Sequence, residues 1–206
     1  MIEKLKDKNF VTTHLETRIA PRKAIMESDK DFVYIHISSD LCDFDWVVLF
    51  AIRLDDDRCI IVTTDLVSNC MPWLTRPGDL WDIWMSSEHD DFICEPVNQL
   101  LGLESANPSP LYVISYTHHE GGGGVFLHPS MQKRLHELFP DGYFLILSSR
   151  HEALACTRGI VPAENVAQIF HDISHMDDVT PMVDRVTEDV YYCDKPYSLG
   201  KVNCHD

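Results

Sequence analysis

The sequence predicts an α+β fold, mainly antiparallel sheet with packed helices. Runs of β-branched and aromatic residues sit next to one another with hairpin-length polar turns between them. Amphipathic stretches at helical spacing, opened by a proline or a capping residue, stand between these strand groups. Strands therefore come in adjacent pairs, which is the pattern of antiparallel pairing and not of βαβ crossovers.

After a polar start, "FVYIHIS" (Phe32 to Ser38) and "WVVLFAIRL" (Trp46 to Leu54) read as strands. "DDDR" turns the chain into a third, "CIIVTT" (Cys59 to Thr64). Asp65 is placed to open a short helix that Pro72 ends, and Thr75 to cap another whose Leu80, Ile83 and Trp84 share a face. Trp73, Trp81 and Trp84 crowd this region as core packing, with a ligand cage as the alternative. Further on, "LYVISYT" (Leu111 to Thr117) is a strand, "HHEGGGG" a loop and "VFL" a short strand. Pro129 starts a helix through Phe139 with Met131, Leu135 and Leu138 inward. "GYFLILSS" and "EALACT" form two strands around Arg150 and His151. Pro162 opens a helix whose Val166, Ile169, Phe170 and Ile173 make an apolar stripe, and "DVYYCD" (Asp189 to Asp194) is a closing strand. Asn, Pro and Ser accumulate between Gly102 and Pro110. That divides the chain into a strand-hairpin-helix subdomain over 1–103, a linker over 104–110 and an α+β subdomain over 111–206, or joins two layers of one continuous domain.

Charge is the strongest bulk signal: 33 acidic against 17 basic residues leave a formal net charge of −16. Polyanionic partners need neutralising Lys and Arg, so direct nucleic-acid binding and anionic membranes are disfavoured, and an acidic face for a basic partner is favoured. No apolar run reaches the roughly 20 residues of a membrane span, and "MIEKLKDKNF" offers no apolar signal core. Seven cysteines, an odd set without a CxxC pair, fit a reducing cytoplasm.

Four constellations carry candidate chemistry. In "SSRHE", Ser149 and His151 fall on one face of an extended chain, so a histidine-activated serine oriented by Glu152 is conceivable. Against it stand the absence of a GxSxG elbow and the habit of triads to draw on distant segments; the competing reading is a hairpin turn in which the hydroxyls of Ser148 and Ser149 satisfy backbone groups. His118, His119 and His128, with Glu120 and conceivably His151 and Glu152, are ligand types for zinc or another transition metal, without an HExxH helix. Gly121 to Gly124 lack the pattern of a phosphate-binding loop and read as a permissive turn or a close-packed segment. Asp43 and Asp45 flank Phe44, and a strand would place both carboxylates on one face, exposed to solvent.

The stretch from "YVISYTHHEGGGG" through "LILSSRHEALA", "VPAENVAQIFHDI" and "VTEDVYYCD" resembles domain-of-unknown-function family 5688, an uncharacterised bacterial family. The serine-serine-x-His-Glu motif matches at Ser148, Ser149, His151 and Glu152, and the helix step partly at His128 and Pro129. "DFDWVVLFAIRLDDDRCIIVTTDLVSNC" is similar to the family's upstream strands and helix, so the likeness runs from about Asn9 to Asp194. Two departures matter: the usual additional N-terminal region is largely absent, and "YTHHE" replaces an Asn-containing stretch, which makes a metal site at His118 and His119 private to this chain. The resemblance implies a bacterial or phage-related cytoplasmic origin and assigns no reaction.

The expectation is a non-enzymatic macromolecule-binding or regulatory module without a cofactor, whose partner is a protein with a basic contact face. The alternatives are an acidic inhibitor or nucleic-acid mimic of a basic nucleic-acid-handling or defence enzyme, and a hydrolase using His151 with Glu152 or a histidine-bound metal. A dimer joined through exposed tryptophans is a third.

Overall fold

The computed structural model describes residues 2–39, 42–56, 58–103, 109–160, 162–174, 182–196 and 198–202. The chain opens with α1 (Ile2–Lys6), α2 (Lys8–His14), β1 (Leu15–Pro21), α3 (Arg22–Met26), β2 (Tyr34–Ile35), β3 (Ser38–Ser39), β4 (Cys42–Asp43), β5 (Trp46–Asp55) and β6 (Arg58–Ile61). Then come α4 (Thr64–Cys70), α5 (Asp79–Ser86), β7 (Phe92–Pro96), α6 (Val97–Leu100), β8 (Leu111–Tyr116) and a 3₁₀ helix over Gly122–Leu127. It closes with α7 (Pro129–Leu138), β9 (Tyr143–Ile146), β10 (Ala153–Thr157), α8 (Ala163–Ser174), a 3₁₀ turn at Met182–Asp184, β11 (Val190–Lys195) and β12 (Ser198–Lys201).

The fold is α+β, with antiparallel pairing throughout the described strands. One sheet is built on β5, which pairs with β1 from Leu15↔Ile52 to Pro21↔Trp46 and with β2 and β6. The other has the order β12-β11-β9-β10-β8-β7, and β3 and β4 form a small ribbon of their own. Trp46, Val48, Phe50 and Ile52 of β5 share one core with Ile114, Tyr116, Phe126, Tyr143, Leu145 and Tyr191. On the opposite face of the second sheet, Phe144, Ile146 and Val190 pack against Val166, Ala167 and Phe170 of α8. Residues 104–108 of the expected linker lie outside the described residues; β7, which precedes it, pairs with β8, which follows it.

Several expectations are corrected in detail. The polar start contains α1, α2 and β1, and "DFICEP" contributes β7. The strand expected over Phe32 to Ser38 is regular only at Tyr34–Ile35 and Ser38–Ser39. Thr63, whose hydroxyl accepts the Leu66 N–H, caps α4 one residue before Thr64, and α5 begins after Gly78 instead of at a Thr75 cap. "VFL" is part of a 3₁₀ helix, because the glycines before it turn tightly under β8. Leu138 and Ile169, expected inward, are exposed; Gln132 and Ala167 take the inward positions. The Ile173 side chain lies outside the described residues. Of the tryptophans, Trp84 is fully buried, while Trp73 and Trp81 pack against the core from its edge.

Candidate functional site

β1 enters the molecule carrying alternate charged residues, Glu16 and Arg18, between the buried Leu15, Thr17 and Ile19. Strand alternation would send Glu16 and Arg18 to solvent on an open face. Here the strand is covered on that side, and Glu16 is 3% exposed. Its carboxylate accepts from the Arg53 Nε–H, from Arg18 at 3.3 Å and faces His118 Nε2 at 3.1 Å, while Arg53 reaches His118 Nδ1 at 3.1 Å. Burial works against the Arg53 charge, but the Glu16 carboxylate overrides it and raises the pKa. Burial also lowers the His118 pKa, against the pull of Glu16. The group is a buried charge cluster that binds β1, β5 and the end of β8 together.

The glycine run lies against this cluster. Gly121 adopts φ +67° beside the Arg18 guanidinium, and a Cβ on Gly122 would stand 2.6 Å from both the Ser115 Cα and the Tyr116 backbone nitrogen. Only glycine fits there without moving a strand. The run is thus buried and close-packed, and its amides are spent inside the protein. Gly122 N–H donates to the His151 carbonyl at 2.8 Å, Gly123 N–H to the Arg150 carbonyl at 3.2 Å, and Gly121 N–H to His151 Nδ1 at 3.3 Å.

The "SSRHE" segment connects β9 to β10 and meets the glycines there. The Ser149 hydroxyl accepts the His151 backbone N–H at 3.1 Å, and the Ser148 hydroxyl is buried without a hydrogen-bond partner among the described residues. Gly121 N–H donates to His151 Nδ1, the Arg150 Nε–H points at Nε2 at 3.3 Å, and Nε2 lies 3.4 Å from the Asp184 carboxylate. Arg150 Nε lies 2.7 Å from the same carboxylate oxygen, and its backbone N–H donates to the Asp184 carbonyl at 2.9 Å. The ring nitrogens of His151 thus meet Gly121, Arg150 and Asp184, and Ser149 meets His151 only through its backbone N–H. A serine nucleophile needs a basic ring nitrogen at hydrogen-bond distance, and this arrangement does not supply one. Burial raises the Glu152 pKa, opposed by His119 and His151, so Glu152 is a half-buried carboxyl beside two imidazoles and does not orient His151.

The histidines considered as metal ligands diverge. His118 turns into the Glu16 cluster, His119 is exposed with φ 57° near Glu152, and His128 is buried, its Nε2 3.2 Å from the Trp84 carbonyl. Among the described residues no three His, Cys, Asp or Glu side chains form a group that could hold a metal. Asp43 and Asp45 are both exposed but meet different partners: Asp43 pairs with His36 at 3.0 Å, and Asp45 accepts from the Thr187 hydroxyl at 3.1 Å, with partial burial raising its pKa.

Sequence reasoning missed Glu16, Arg53 and Asp184. The first two carried a signal, the period-two alternation of "LETRI" and an arginine inside the long apolar run of β5. Asp184 carried none, since it reaches His151 only through the tertiary fold. No family model, curated protein or solved structure matches the chain. No helix among the described residues is long and apolar enough to cross a membrane.

Proposed function

We propose that the protein is a non-enzymatic module that binds a protein partner through an acidic surface, the partner presenting lysine and arginine. The observation that carries this reading is where the basic side chains go. Arg18, Arg22, Arg53, Arg58, Arg76, Arg150, Arg158, Lys6, Lys23, Lys133 and Lys201 each lie within ion-pair distance of a carboxylate of the same chain. The formal excess of −16 therefore resides on outward carboxylates such as Asp29, Asp31, Asp65, Asp82, Glu88 and Asp90, all exposed. A surface of one sign accelerates encounter with an opposite one and selects against anionic partners. The contacts of the His151 ring with Gly121, Arg150 and Asp184, and not with a serine hydroxyl, add support to a structural reading of the "SSRHE" segment.

The test is titration against a lysine-rich histone as a basic probe, at low and high salt. The reading expects a complex that weakens by about tenfold or more between ~50 and ~500 mM salt and is unchanged by His151→Ala. No complex at low salt, or an affinity indifferent to salt, overturns it.

A further inference from the structure

His128 stands between two helices and is 4% exposed. Its Nδ1 accepts the Ser130 backbone N–H at 3.3 Å, which makes it the N-cap of α7, and the Ser130 hydroxyl lies 2.8 Å from the same nitrogen. Its Nε2 lies 3.2 Å from the carbonyl of Trp84, in the last turn of α5. One neutral tautomer satisfies both ends, with the proton on Nε2 donating to α5 and the lone pair on Nδ1 capping α7. The ring is enclosed by Trp84 at 4.9 Å, His89 at 5.1 Å and Phe92 at 5.1 Å between centroids.

We propose that His128 is an acid-sensitive latch: a proton added at Nδ1 abolishes the cap of α7, and the corner made of α5, the 87–92 segment and the first turn of α7 opens while the sheets stay folded. A protonated Nδ1 could donate to the Ser130 hydroxyl at 2.8 Å but could no longer accept the Ser130 backbone N–H, and it would set a positive charge at the positive end of a ten-residue helix. The titratable groups facing the ring are His89 and Asp91, both from the segment between α5 and β7. Asp91 lies 3.5 Å from His89 Nδ1 and, with the Ser87 backbone, favours a charged His128, but burial and His89 outweigh both. From α5 the ring meets the Trp84 carbonyl, from β7 the Phe92 ring and from α7 the Ser130 amide and hydroxyl. The Trp84 Nε1 and His89 Nε2 atoms, buried without a partner among the described residues, mark the same corner as the incompletely satisfied part of the core.

Burial, and then His89, push the His128 pKa down to about 4, from 6.5 in an open, solvated corner. The sign follows: an open state that binds the proton more readily gains population as pH falls from 6.5 toward 4, by about thirtyfold between pH 7.5 and 5. Hydrogen exchange corrected for its intrinsic pH dependence reads this directly. Peptides covering Asp79–Ser86 and the start of α7 should open about thirtyfold more at pH 5 than at pH 7.5, with β5 unchanged as the internal reference. In His128→Asn, whose side-chain oxygen can cap α7 but does not titrate, the change should fall below about threefold. A flat wild-type profile, opening of β5 together with the corner, or an undiminished pH response in the variant would each overturn the latch. The wild-type series decides alone if the variant does not fold.

Discussion

Glu16→Gln removes one negative charge and almost no volume from the most enclosed charge cluster of the protein. Glu16 is 4% exposed at its side chain, and Arg53 and Arg18 are 14% and 13% exposed. Loss of the carboxylate leaves two guanidinium groups with little water to solvate them. Breaking a buried pair by removing one partner typically costs about 3–5 kcal/mol. With a urea m value of ~2 kcal/mol/M, the unfolding midpoint should fall by about 2 M. The desolvation argument also fixes a second arm: Glu16→Met combined with Arg53→Met replaces that pair by shape, and should recover part of the loss that Glu16→Met alone produces, the remainder reporting the stranded Arg18. Urea unfolding of the wild type, both single Met variants and the double closes the cycle and isolates the pair. A loss below ~1 kcal/mol for Glu16→Gln would mean that water reaches the cluster, and that the cohesion of β1 with β5 rests on their backbone ladder and apolar packing.

Gly122→Ala should destabilise by about 2–3 kcal/mol in a thermal melt, because its Cβ meets the backbone of Ser115 and Tyr116 as well as the Ser115 hydroxyl; an unchanged melting temperature would refute the close packing. Asp184→Asn should loosen the Met182–Asp184 turn, read as faster proteolysis after Arg185, without altering binding to a basic probe; loss of binding in a folded variant would place the "SSRHE" corner in the contact surface. Asp45→Asn keeps an acceptor for the Thr187 hydroxyl and removes a carboxylate whose pKa burial raises. A raised carboxyl pKa means that the folded state binds the proton more readily, so ionised Asp45 costs stability above its titration range. The variant should therefore gain on the wild type as pH rises through that range and lose the advantage in acid; a gain that is the same at pH 3 and pH 7 would contradict the assignment.

The parts of the fold that were legible in sequence are those where packing agrees with local pattern. β5 declares itself because Trp46, Val48, Phe50 and Ile52 line one core and their alternates are also covered, giving a continuous apolar run. α7 and α8 declare themselves through a proline near the start and a helical stripe, and fail at Leu138 and Ile169 because a helix packed on one side only buries a narrower stripe than its apolar residues outline. β1 was hidden for the opposite reason. Its charges look like a solvated loop, and only the arrival of Arg53 from β5 and His118 from the far side of β8 makes them interior. The signal for that strand is thus spread over three segments separated by tens of residues.

The same division separates the histidines by role. "HHEGGGG" and "SSRHE" each gather ligand or catalytic residue types within a few positions, which is what made them candidates. In the fold His118, His128 and His151 serve different joints, His118 at β1 and β5, His128 at α5 and α7, and His151 at the glycine turn and the Asp184 segment, while His119 is exposed. An imidazole suits such joints because it offers one donor and one acceptor on opposite sides of a rigid ring, and so links two elements that a hydroxyl would not span. Local density of histidine in this chain therefore follows the crossing of segments at the edge of the second sheet. The position of the histidines along the chain carried no information on this, since the element that completes each joint comes from elsewhere in the sequence.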